Sequence, residues 1–150
     1  MQQNRREFLK LLSLMAAAGL LPAGSAWAED WNKAAFESKK MDDVVKALGG
    51  AAPQQSDQVL LIGPEIAENG AVVPLELESK LPNTESMAVL IEKNPNMLGG
   101  IFTIPSGTLP WVQTRVKMAE TCNVYLLAKA GGKHYYAVKE IKVTLGGCGG

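Results

Sequence analysis

The chain has 150 residues, with 15 Lys or Arg against 15 Asp or Glu, so its formal charge is zero. That length bounds it to one domain with one core. The even charge lacks the basic excess that a nucleic-acid or anionic-membrane partner requires.

The first segment reads as an export signal. Arg5-Arg6 precede an apolar run from Leu11 to Leu21, followed by Pro22 and then Ala26-Trp27-Ala28. A charged start, a short apolar middle and a small-x-small end form a cleavable signal, and the arginine pair marks the twin-arginine route. Eleven residues are too few to cross a ~30 Å hydrocarbon layer as a helix. Residues 1–28 are therefore expected to be removed on export to the periplasm, leaving a chain of formal charge −2. Cys122 and Cys148 then meet a compartment that permits disulfides.

Residues 29–56 read as an N-terminal helix and linker. Asp42 to Leu48 begins with two acids and is followed by Gly49-Gly50, start and stop signals for a short helix. Residues 31–41 extend it less regularly, and 49–56 are small and proline-containing.

Residues 57–145 read as a carrier domain of strands. The runs are 58–62, 72–78, 87–93, 100–104, 111–118, 123–129 and 134–145, separated by Gly63-Pro64, Asn69-Gly70, Pro82-Asn83, Asn94-Pro95, Ser106-Gly107 and Gly131-Gly132. This spacing predicts an all-β fold, an antiparallel immunoglobulin-like β-sandwich of about seven strands. Val112, Thr114, Val116 and Met118 share one face of their strand. Cys122 has the parity of Val124 and Leu126, which makes it a small buried hydrophobe. Gly131-Gly132 is a hairpin signal. The apolar positions change parity near Lys139-Glu140, which predicts a β-bulge there. His134, beside the glycine turn, is expected to be a solvated surface residue.

The tail, residues 146–150, is Gly146-Gly147-Cys148-Gly149-Gly150. Glycine offers the widest backbone freedom, and no side chain flanks the sulfur. Three residues beyond Leu145 reach about 10 Å, enough to carry a thiol into another protein's active site. Cys148 is thus a candidate covalent attachment site, and Gly146, Gly147, Gly149 and Gly150 make a flexible swinging arm. A Cys122–Cys148 disulfide would pin the segment that the glycines free.

Little else carries chemistry. His134 stands alone, no cysteine or histidine pair has zinc-ligand spacing, and no acid pair stands out for general acid–base work, so no metal, cofactor or catalytic residue is expected. Trp31, Trp111, Tyr135 and Tyr136 suit a core or an interface. Two rival readings remain. A ubiquitin-like sulfur carrier would be activated at a diglycine carboxylate, chemistry that belongs to the cytoplasm. A periplasmic interaction module or thiol metallochaperone would use Cys148 with Met97 or His134 as soft ligands.

Lys142 to Gly150, behind a twin-arginine signal, closely resembles the end of the SoxY family, the substrate-carrier subunits of the periplasmic sulfur-oxidising system. The resemblance extends through Asp42 to Leu48, Ala67 to Pro74, Glu92 to Asn96 and Thr114 to Ala119. Cys122 is a departure, a second cysteine that the carrier role does not require. The resemblance implies that Cys148 holds sulfur intermediates while separate enzymes act, the chain itself catalysing no turnover. It implies a heterodimer with a SoxZ-like subunit. It further implies a c-type haem enzyme that conjugates thiosulfate, a hydrolase that releases sulfate and, where present, a sulfane dehydrogenase.

Overall fold

The computed structural model describes residues 32–145; the signal segment, Cys148 and the four arm glycines lie outside them. Two short helices come first, α1 (Lys33–Glu37) and α2 (Met41–Ala47). Asn32 joins them. Its Oδ1 accepts from the Ala35 amide at 3.1 Å, capping α1, and its Nδ2 donates to the Ala47 carbonyl at 2.8 Å. The stretch before α2 is therefore a separate helix, broken where Ser38 turns extended (ψ 139°). Helix α2 ends as its sequence requires. Gly49 adopts φ 75°, and the amides of Gly49 and Gly50 return to the carbonyls of Lys46 and Val45, a Schellman closure that needs glycine at the left-handed position.

Nine strands follow among the described residues: β1 (Gln54–Gln55), β2 (Val59–Ile62), β3 (Ile66–Ala67), β4 (Val73–Ser79), β5 (Thr84–Ile91), β6 (Leu98–Thr103), β7 (Trp111–Val116), β8 (Cys122–Ala130) and β9 (Lys133–Val143). Each of the seven expected runs is a strand; the two additions, β1 and β3, are two-residue pieces. One sheet has the order β1-β9-β8-β5-β6, with β3 also on β9, and the other is β2-β4-β7. All ladders are antiparallel except the short ones that β1 and β3 make with β9.

Two apolar cores result. Between the sheets lie Leu75, Leu77, Met87, Val89, Met118, Val124, Leu126 and Ile141. On the other face of the larger sheet, Ala88, Leu90, Leu98 and Leu127 pack under Ala35, Val44 and Val45 of the helices. Strand β5 is thus covered on both sides, which is why Met87-Ala88-Val89-Leu90-Ile91 is apolar without alternation. The β8–β9 hairpin turns through Gly131 (φ 56°) and Gly132 (φ 73°), both conformations that a side chain disfavours.

Two expectations fail. No bulge interrupts β9 near Lys139-Glu140; its register with β8 runs unbroken from Lys133↔Ala130 to Ile141↔Cys122. The odd positions Tyr135, Ala137, Ile141 and Val143 all pack on the sandwich core. Lys139 occupies the polar gap in that row, its Nζ donating to the Gly63 carbonyl at 2.6 Å. Irregular register occurs instead along β5, between Thr84 and Ser86 against β8 and between Val89 and Leu90 against β6. His134 is the second. It is buried, not solvated, with 4% exposure, because the chain after α2 lies across it.

Candidate functional site

The expected attachment residue Cys148 and glycines 146, 147, 149 and 150 lie outside the described residues. The structure does show where the chain stands as it reaches them. Beyond its ladder with β8, the end of β9 is fastened on one side by Thr121, whose Oγ1 accepts from the Val143 amide at 2.9 Å. On the other side runs the segment Glu65–Val72. The Lys142 amide donates to the Glu65 carbonyl at 2.9 Å, and the Thr144 amide to the Ala67 carbonyl at 3.1 Å. The Thr144 hydroxyl donates to the Glu68 carbonyl at 3.0 Å. Last, the Gly70 amide donates to the Leu145 carbonyl at 2.7 Å.

That segment is itself held. The Gly70 carbonyl accepts from the amide of Met118, a fully buried core residue, at 2.7 Å. Asn69 Oδ1 accepts from the Ala71 amide at 2.9 Å, closing the turn that Asn69-Gly70 marks in the sequence. Ala67 points into the sandwich core while its neighbour Ile66 stands 56% exposed. Hydrogen bonds therefore hold the chain through the end of β9 and on to Leu145, the last described residue. Sequence reasoning found the Asn69-Gly70 turn but not its partnership with Thr144 and Leu145, since backbone groups joined across more than seventy residues leave no residue-type pattern.

Cys122 is a buried free thiol with 5% exposure in the sandwich core, as its parity requires. Desolvation, chiefly, and the nearby Glu92 carboxylate raise its pKa above the ordinary thiol value. Buried and protonated, it is a poor nucleophile. Met97 is 4% exposed beneath the helices, so neither it nor His134 presents a ligand at the surface. Among the described residues, no three of His, Cys, Asp or Glu gather to hold a metal ion.

The structure thus defines a class: a β-sandwich with a helical layer on its larger sheet and a last strand bonded to its end. Residues 44–148 match the family model described as sulfur oxidation protein SoxY, a match that runs from α2 through Cys148. Among solved structures, the sulfur carrier protein SoxY from Chlorobium limicola f thiosulfatophilum is 36% identical, with 71% of this chain and 97% of that chain covered and a TM-score of 0.64. No curated protein matches. The chain belongs to the SoxY family.

Proposed function

We propose that this protein is a covalent carrier of sulfur intermediates in thiosulfate oxidation, holding them on Cys148 at the end of a short glycine arm. The observation that carries the reading is the family match, which includes Cys148 itself. The anchored end of β9 supports it, since a carrier needs a firm platform for its arm.

Loading joins Cys148 Sγ to the outer sulfur of thiosulfate. One proton and two electrons leave, and the electrons pass to a c-type haem enzyme. A hydrolase then breaks the bond between that outer sulfur and the sulfone sulfur. Water supplies the oxygen, sulfate and two protons depart, and a persulfide anion stays on Cys148. A sulfane dehydrogenase, where present, oxidises that remaining sulfur. A cysteine without an activating neighbour is mostly thiol at neutral pH, which leaves activation to each receiving enzyme. The glycines 146, 147, 149 and 150 let one thiol enter several narrow sites. The working form is a heterodimer with a SoxZ-like subunit, exported to the periplasm by the Arg5-Arg6 signal.

Intact mass spectrometry after incubation with thiosulfate and the haem conjugating enzyme tests the reading. One thiosulfate-derived adduct is expected on the wild-type chain and none on Cys148→Ser. An adduct that persists in Cys148→Ser would defeat it.

A further inference from the structure

Asn69 alone among the chain's asparagines is followed by glycine. Such a pair can react with itself, because the main-chain nitrogen after an asparagine is placed to attack the side-chain carbonyl carbon. Glycine puts no Cβ in the way. The turn presents Asn69 ready for that attack. Its side chain is exposed, so water reaches it. Oδ1 accepts from the Ala71 amide at 2.9 Å, which draws electron density from Cγ. Nδ2, the group that must leave, has no partner among the described residues.

Only the attacking atom is occupied. Gly70 is buried, and its N–H donates to the Leu145 carbonyl at 2.7 Å. A peptide nitrogen shares its lone pair with its carbonyl, so it must lose its proton before it attacks. While Leu145 holds that proton away from water, no base removes it. The two partners are not equally firm. Gly70 is tied through its carbonyl to the amide of Met118, a fully buried core residue. Leu145 is 71% exposed and lies beyond Val143, where β9 ends. A strand end opens locally at far less cost than the whole fold, so Leu145 is the partner that withdraws.

We propose that Asn69 is a modification site that deamidates through attack by Gly70, and that the Leu145 carbonyl gates the reaction by holding the Gly70 N–H. When Leu145 withdraws, the Gly70 nitrogen loses its proton and bonds to Asn69 Cγ. The Cγ–Nδ2 bond breaks, and Nδ2 takes up the proton and departs as ammonia. Water then cleaves one of the two C–N bonds of the ring, leaving aspartate or isoaspartate at position 69. No electrons pass to or from any other reactant. The isoaspartate route adds one methylene to the main chain between positions 69 and 70. Gly70 stays tied to Met118, so its N–H no longer meets Leu145, and the strand end is released for good. The chemistry does not involve the cargo, so it stands apart from the carrier reading.

The test ages the full chain in mildly alkaline buffer and maps its peptides by mass, with isoaspartate scored by enzymatic methylation. Hydrogen exchange at Gly70 is read in parallel. Thr144→Val deletes the hydroxyl bond to the Glu68 carbonyl, and Thr144→Pro deletes that bond and the amide bond to Ala67. Asn69 should convert before any other asparagine. Its rate should rise about two- to fourfold in Thr144→Val and about fivefold or more in Thr144→Pro, in step with Gly70 exchange. Unchanged exchange in the centre of β8 and β9 separates opening of the strand end from global unfolding. Should Thr144→Pro unfold more widely, the Thr144→Val rate decides. A variant in which Gly70 exchanges faster while Asn69 converts at the wild-type rate would overturn the gate, as would native wild type converting as fast as the urea-unfolded chain. No conversion of Asn69 in any folded protein, while the unfolded chain converts, would overturn the modification site. Isoaspartate-bearing wild type should exchange its Thr144 amide faster than the unmodified chain, and equal exchange would overturn the permanent release.

Discussion

Nδ1 of His134 lies so close to the backbone of Gly50 that a Cβ at position 50 would stand 2.1 Å from it. The imidazole fills the space that a side chain at position 50 would take. Gly50 is also the residue whose amide closes α2 on the Val45 carbonyl. One contact thus joins the end of the helical layer to the start of β9.

Gly50→Ala should therefore destabilise the fold. His134 is buried, so its ring cannot simply swing into solvent, and overpacking of this kind costs about 1–3 kcal/mol. Denaturant unfolding would read this as a lower midpoint at unchanged slope. A midpoint equal to wild type would mean that the linker after α2 moves freely off His134.

The same burial makes stability depend on pH. Desolvation first, then the charge of Lys129, hold the His134 pKa below the ordinary histidine value, with Glu85 pulling the other way. Among the described residues, Nδ1 has no hydrogen-bond partner. The folded state therefore favours neutral His134, while the unfolded chain takes up its proton near pH ~6.5. The contribution is intact above that pH and declines as pH falls below it, until the folded group is protonated as well. His134→Gln removes the titration. Urea midpoints for the two proteins should diverge between about pH 7.5 and 5, wild type falling faster. Parallel curves would show that His134 is not linked to folding.

Much of this architecture was legible because its signals are local. Alternation placed β7 and the buried face of Cys122, and Gly131-Gly132 and Gly49-Gly50 gave the hairpin and the helix stop. What stayed hidden was non-local. Strands β1 and β3 have two residues each, too few to show a period. His134 looked like a turn residue because nothing nearby in sequence reveals that Gly50 covers it. Lys139 imitated a register change, since its partner, the Gly63 carbonyl, is 76 residues away. At the candidate site, the sequence offered Cys148 and its glycines through composition, while the support under Thr144 and Leu145 came only from the fold.

Cys122 should be chemically silent in the native protein. It sits with Val124 and Leu126 in the sandwich core, and desolvation disfavours its thiolate. Iodoacetamide should label Cys148 within the time that leaves Cys122 unmodified, and Cys122 only in denaturant. Peptide mass mapping would separate the two sites. Native labelling of Cys122 at the Cys148 rate, or a Cys122–Cys148 bridge under non-reducing conditions, would contradict both its burial and the proposed carrier role of Cys148.

Thr144 offers a test of the anchored strand end. Its hydroxyl bond to the Glu68 carbonyl is exposed, so its net value is at the modest end of about 0.5–1.5 kcal/mol. Thr144→Val keeps the β-branched shape that favours a strand and deletes only the hydroxyl. The Thr144 and Gly70 amides, which donate to Ala67 and Leu145, should lose protection when the two segments part more often. Hydrogen exchange at position 144 and at Gly70 should therefore quicken by about two- to fourfold in Thr144→Val, the factor that a bond at that modest end corresponds to. Thr144→Ser should restore the slow rate by restoring the donor. Amides in the centre of β8 and β9 should not respond, since they are held by an unbroken ladder. Equal exchange at Gly70 in all three proteins would show that the backbone bonds alone hold the end of β9, and that the Thr144 hydroxyl contributes nothing to it.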